Sequence, residues 1–203
     1  MFVRTIYAVG DPAKLDTAVE ALSGEGRELL ARQPGFRGMG LFVDREMGKL
    51  LAGTWWESER ARQDSDEALR ARRAAMLTPF ATAVAVDNYE VAAFHRPEQP
   101  SGGACFRLSR LEFEPADADL VADTFQGSSL ESLTMIPGVV GASLFINRTA
   151  GRATAGVIYR DRAALTGSRG AQAAVRDDAT AKAHLAVRSV EEFEVVFADV
   201  VRP

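Results

Sequence analysis

The chain opens on Phe2–Val9, a stretch dense in β-branched and aromatic residues, and this composition predicts a strand. The period then changes. Leu15, Ala18, Val19 and Leu22 fall at helical spacing, and Leu29 and Leu30 resume the stripe. Asp11-Pro12 supplies a capping side chain followed by a proline at the first helical position. Gly24 and Gly26 weaken the middle of this helix, and Pro34-Gly35 ends it. Gly40–Val43 and Leu50–Trp56 read as two strands joined by a charged turn, Asp44 to Gly48. Glu59–Leu77 reads as a helix with an expected break near Asp64–Asp66 and a stop at Pro79, and Val84–Phe94 as a closing strand.

The same order then recurs. Phe106–Phe113 is a predicted strand, and Pro115 stands where Pro12 stood. Leu120, Val121, Phe125, Leu130 and Leu133 form the apolar stripe, with Gly127 at the place of Gly24. Ser143–Ile146 and Arg152–Tyr159 are the hairpin strands, Ala163–Ala186 the second helical stretch and Val190–Val201 the last strand. At an offset of 103 residues, nine of the twenty positions in 34–53 are identical to those in 137–156, Pro34-Gly35 falling on Pro137-Gly138. Chance would give roughly one or two. A repeat of this length is a whole domain, since solenoid units run about 20–50 residues. The expected domains are therefore 1–95 and 105–203, joined by a polar Pro/Gly linker, 96–104.

A βαββαβ order is that of the ferredoxin-like split motif. Helices can cover one face of such a sheet. Yet Leu41 and Val43 point to one side while Phe42 points to the other, and Trp55 and Trp56 also lie on opposite sides. The second apolar face needs its own cover. The expected fold class is α+β, with two ferredoxin-like βαββαβ repeats packed sheet to sheet as a pseudo-twofold α+β barrel.

Charge and composition narrow the function. The 203-residue chain carries 24 basic and 28 acidic side chains, and each half is slightly acidic. With no concentrated basic patch, no nucleic-acid partner is expected. No apolar run of about 18 residues spans a membrane, and the N-terminus lacks an export signal, so a cytoplasmic protein is expected, and the excess of arginine over lysine with abundant alanine points to a bacterial one. Cys105 is the one cysteine, and His95 and His184 are the two histidines; they do not form a metal-site pattern. No phosphate loop or nucleophile motif occurs either.

Pro34-Gly35, Gly48 and the run Leu51-Ala52-Gly53-Thr54-Trp55-Trp56-Glu57-Ser58 resemble the antibiotic biosynthesis monooxygenase domain; Pro137-Gly138 and Gly151 keep part of that pattern in the second half. The resemblance implies the dimeric α+β barrel superfamily in tandem, and cofactor-independent oxidation of a small aromatic or polyketide-like molecule. It also raises heme degradation, which this sequence disfavours. The first strands have no asparagine, the second helices have no tryptophan, and of their histidines only His184 stands near a helix end. No cofactor is expected. The alternative is a non-catalytic barrel that binds a small ligand or a partner. A fused pair is expected to act as a monomer or as a homodimer.

No catalytic residue is identifiable in the sequence. Trp56 could stack on an aromatic ligand and donate its indole N–H, or serve as a core aromatic. Arg73 and Arg176 share the repeat offset and could hold a phenolate, or form a solvated helix face or an ion pair. Tyr7 and Tyr159 are possible hydrogen-bond donors from strands, or half-buried strand aromatics. Because the first half retains Trp-Trp-Glu-Ser and the second has Ile158-Tyr159-Arg160-Asp161, the working pocket is expected in the first half.

Overall fold

A computed structural model describes residues 1–95 and 102–200, without the side chain of residue 200. Both halves show the predicted order. The first contains β1 (Phe2–Gly10), α1 (Leu15–Ala21), α2 (Arg27–Ala31), β2 (Phe36–Asp44), β3 (Lys49–Trp56), α3 (Glu59–Leu77) and β4 (Ala81–His95). The second contains β5 (Cys105–Glu112), α4 (Ala118–Thr124), α5 (Leu130–Thr134), β6 (Val139–Asn147), β7 (Arg152–Tyr159), α6 (Arg162–Gly167), α7 (Arg169–Ala183) and β8 (Ala186–Val200). The hydrogen-bonded strand order, β1-β3-β2-β8-β5-β7-β6-β4, closes as a barrel, so the α+β barrel read from the sequence is the observed fold class.

The contacts divide the chain within two strands rather than between them. One unit is Met1–Asn88 with the segment from Val195 onward, and the other is Tyr89–Glu194. The boundaries therefore fall inside the 15-residue strands β4 and β8, not at the proline-rich segment. Of the expected linker, 96–101 lie outside the described residues, and Gly102 and Gly103 form a turn. His95 is the last residue of β4 and pairs with Ala142 of β6.

In the first unit β3 is central, with Phe2 and Phe36 both opposite Trp56. In the second, β7 is central, with Cys105 and Val139 both opposite Tyr159. The register is the same at the 103-residue offset, down to the irregularities at Phe36/Gly38 and Val139/Gly141. Gly48 and Gly151 turn the two hairpins in left-handed backbone, at φ +59° and +60°. Each unit buries its own core: Leu15, Leu41, Val43 and Leu50 in the first, Val121, Leu144, Ile146 and Leu165 in the second.

Local chemistry explains where the elements start and stop. Asp11 Oδ1 accepts from the Ala13 N–H at 3.0 Å before Pro12 leads into the first helical segment. Ser58 caps α3 through Ala61 N at 3.1 Å, and Asp161 caps α6 through Ala164 N at 2.7 Å. The break expected near Asp64–Asp66 does not occur. Both carboxylates pair with arginines one turn away on the helix, Arg60 and Arg70, instead of competing for the backbone. The second half does break, at Ser168 between α6 and α7, where Gly167 and Gly170 lower helix propensity. Its helix also ends earlier than expected, at His184, whose φ of 51° is left-handed, and β8 begins at Ala186.

Candidate functional site

An arginine on each first strand points at the helices, in a position that apolar residues would otherwise fill. Arg4 on β1 and Arg107 on β5 are equivalent at the repeat offset, and each is only 2 % exposed. Ion pairing and hydrogen bonding offset the large cost of burying such a cation. Both arginines reach the second helical stretch of their half, α3 or the end of α6, in the same way. Arg4 Nη1 donates to Ser65 Oγ at 3.2 Å and Nη2 to the Arg62 carbonyl. Arg107 Nη1 donates to Ser168 Oγ at 3.0 Å and Nη2 to the Leu165 carbonyl at 2.7 Å.

The two halves then diverge in how they neutralise that cation. In the second unit Glu192, on β8, accepts from Arg107 Nε at 3.1 Å and Nη2 at 2.8 Å, and from Arg169 Nη2 at 3.0 Å. Burial pushes the Glu192 carboxyl up, but the bonds from Arg169 and Arg107 outweigh it and hold the group below its ordinary range. In the first unit the carboxylate comes from the helix. Asp66 lies 3.6 Å from Arg4 Nε and 2.8 Å from Arg73 Nη2, and it also takes Arg70. Burial opposes ionisation of Asp66 as well, and its arginines again prevail. Burial pulls Arg4 itself down to about 10 against the attraction of Asp66, which leaves it a cation at neutral pH.

Beside each arginine a cleft opens between sheet and helices. The second-unit cleft spans about 550 Å³ and the first-unit cleft about 480 Å³, open solvent at the mouths included. They are the same place in the repeat: Leu22, Leu30, Leu69 and Arg73 line the first where Phe125, Leu133, Gln172 and Arg176 line the second. The helix at each mouth contains a π-type turn, Leu22–Gly26 and Phe125–Ser129, a distortion often found at functional sites. The sequence signalled a weakness there through Gly24, Gly26 and Gly127.

Behind Gln172, which is in the wall of the second cleft, lies a buried polar cluster. Tyr159 is fully buried, its O–H donating to Gln172 Oε1 at 2.7 Å, while Arg107 Nη1 donates to the same oxygen and, at 3.4 Å, to the Tyr159 hydroxyl. Burial raises the Tyr159 phenol above its ordinary value, partly opposed by its bond to Ser168 and by Arg107, so it stays a neutral donor. Arg176 lines this cleft half-buried, and among the described residues its guanidinium has no hydrogen-bond or ion-pair partner. Burial, and then repulsion from Arg107, lower its proton affinity.

The sequence candidates thus separate. Arg176 lines the second cleft with Gln172, while Tyr159, at the repeat position of Trp56, is fully buried outside that lining and bonds Gln172 from behind. Arg73 lines the first cleft but is bound to Asp66. Trp56 is fully buried outside the first cleft's lining, its Nε1 donating to Thr54 Oγ1 at 3.0 Å and its ring meeting Phe36 edge-on at 5.5 Å and the Arg4 guanidinium at 5.9 Å. Tyr7 alternates with Arg4 and Ile6, which line the first cleft, and so points to the other face of β1. Sequence reasoning missed Arg4, Arg107, Gln172 and Glu192. The available signal was an arginine recurring at one repeat position inside two strongly apolar strands. Neither histidine lines a cleft, and no cluster of three or more metal-ligating side chains occurs among the described residues.

The sheets, helices and paired clefts define the dimeric α+β barrel class, here with both repeats in one chain. No family model matches the chain. An uncharacterized protein of Mycobacterium tuberculosis strain H37Rv is 26% identical over 159 residues, 78% of this chain and 71% of the relative. Among solved structures, an anthrone oxidase-like protein superposes with a TM-score of 0.73 at 13% identity, over 100% of this chain and 93% of its own. A Lactobacillus acidophilus protein provisionally assigned as a monooxygenase gives 0.70 at 13% identity, over 99% of both chains. These likenesses establish a fold shared with those two proteins along the full length of the chain.

Proposed function

We propose that this protein is a cofactor-independent monooxygenase whose working cleft lies in the second unit and takes a small aromatic or polyketide-like molecule. The observation that carries this reading is an apolar cleft with the polar groups of Arg176 and Gln172 in its wall, the latter fixed from behind by Tyr159 and Arg107. The match to an anthrone oxidase-like fold adds weight to it. Oxidation without metal or flavin needs a substrate that can itself become an electron-rich carbanion. An activated ring CH₂ would lose a proton, add O₂ and eliminate water, leaving C=O, with the substrate supplying all the electrons. The protein would supply a dry wall, orientation and a cation near the developing negative charge. We place the protein in the cytoplasm as a single-chain pseudo-dimer.

One observation favours a second reading, a non-catalytic binder of similar molecules: no Asp, Glu or His lines either cleft among the described residues, so neither wall offers a dedicated base. Oxygen uptake with an anthrone or hydroquinone separates the two. The enzyme consumes O₂ with substrate, whereas a binder consumes none yet melts at a higher temperature with the same compound. Comparing Tyr159→Phe with Trp56→Phe locates the working unit. A larger loss in Trp56→Phe would return it to the first half.

A further inference from the structure

The two clefts share a framework but not a charge balance. In the first, the helix carboxylate Asp66 lies against Arg73 as well as Arg4, and both cations of that cleft are satisfied from within the protein. At the repeat position of Asp66 the second half has Arg169. The counter-charge for Arg107 comes instead from Glu192 on β8, which engages Arg107, Arg169 and Arg162 and makes no pair with Arg176. Relocating one carboxylate from helix to strand therefore leaves a cation facing an apolar cleft. Arg176 stands on that wall with Leu111, Phe125, Leu133 and Val157 around the same space.

We infer that the second cleft binds an organic monoanion, its carboxylate or phenolate paired with Arg176 and its apolar body against Phe125, Leu133 and Val157, while the first cleft takes none because Asp66 already answers Arg73. The inference rests on the second cleft being a ligand site, as proposed above, and adds the charge of what enters it. A guanidinium offers a forked pair of donors that fits a carboxylate with two parallel bonds. Such a charge-assisted contact, partly screened at the mouth, separates an acid from its neutral ester by roughly tenfold or more. An apolar body alone would bind acid and ester alike.

The test is calorimetric titration of the full-length protein with 2-naphthoate, its neutral methyl ester and decanoate. The expected result is one 2-naphthoate per chain, bound at least about tenfold tighter than the ester. Arg176→Gln brings the acid to the ester's level, and Arg176→Lys retains most of the preference. Naphthoate tighter than decanoate assigns an aromatic body, the reverse an acyl chain, and either order supports the anion. The unliganded Arg176→Gln protein melts close to the wild type, since the repulsion of Arg176 from Arg107 is set against its attraction to Asp177. Equal binding of acid and ester overturns the inference and leaves the cleft a ligand site. So does an unchanged acid affinity in Arg176→Gln, or two acids per chain. Binding of none of the three compounds overturns both the inference and the reading it rests on.

Discussion

Replacing Glu192 by Gln removes one negative charge and keeps nearly the same shape. Arg107 is 2 % exposed, and two of its donors end on Glu192 at 3.1 and 2.8 Å, so the substitution strands a buried cation. Breaking a buried pair by removing one partner costs about 3–5 kcal/mol. The glutamine oxygen can still accept one ordinary hydrogen bond, worth about 1 kcal/mol, which leaves a net loss of about 2–4 kcal/mol. With a urea dependence of about 3 kcal/mol per molar for a protein of this size, the midpoint falls by about 1 M. Far-UV circular dichroism reads both units. Tryptophan emission reads the first unit alone, because Trp55 and Trp56 both lie there. The dichroism midpoint should move at constant slope. A shift below about 0.3 M would refute the argument that Glu192 is the required counter-ion. A companion variant sharpens the point: Arg107→Met with Glu192→Leu removes both charges and should be more stable than Glu192→Gln alone.

Other outcomes follow from the same geometry. Gly151→Ala places a Cβ about 2.2 Å from the Phe113 carbonyl oxygen in left-handed backbone, and Gly48→Ala meets the Gly10 carbonyl at 2.4 Å. Each should lower stability by more than the roughly 1–2 kcal/mol of the backbone conformation alone, measured by urea melts. Leu165→Ala empties a fully buried position and should cost about 2–5 kcal/mol in the same assay. Asp66 and Glu192 both have depressed carboxyl values in the folded protein, so the unfolded chain binds more protons as the medium becomes acid. Their contribution is complete above the ordinary carboxylate range, about pH 4, and is lost as pH falls through the lower folded values. Stability measured from pH 6 down to pH 2 should drop steeply below about pH 4, and less steeply in Glu192→Gln.

How far the sequence could be read depended on which signals are local. The duplication was legible because backbone-determined positions repeat: Gly48 and Gly151 are held by the same turn, and Pro34-Gly35 and Pro137-Gly138 by the same helix exit. Strand ends were less legible. β2 runs on from Phe36 through Arg37 and Gly38, residues without strand propensity, because pairing to β3 carries it. The site was legible only in part. Arg176 and Tyr159 could be nominated from repeat offsets and side-chain chemistry. That Tyr159 bonds Gln172 could not, because the two lie on different elements, β7 and α7, which only packing brings together. Trp56 illustrates the opposite effect. A tryptophan at a strand end is conspicuous in sequence, yet its N–H is already spent on Thr54 two residues away. Arg4 and Arg107 were hidden because an arginine among apolar residues normally marks a solvent-facing position, and only tertiary ion pairs reverse that reading.

The placement of the unit boundaries inside β4 and β8 bears on any attempt to take the chain apart. A nuclease-style cut in the gene between codons 95 and 105 would look like clean separation of two domains. The fragment 1–95 would lack the strand from Val195 onward, including Val196 and Phe197 that pack on its core, and its sibling would lack the end of β4 with Ala92 and Ala93. Neither piece should hold native structure by itself. Mixed together, the two could regain it only by lending each other those missing ribbons, as in split-protein reconstitution.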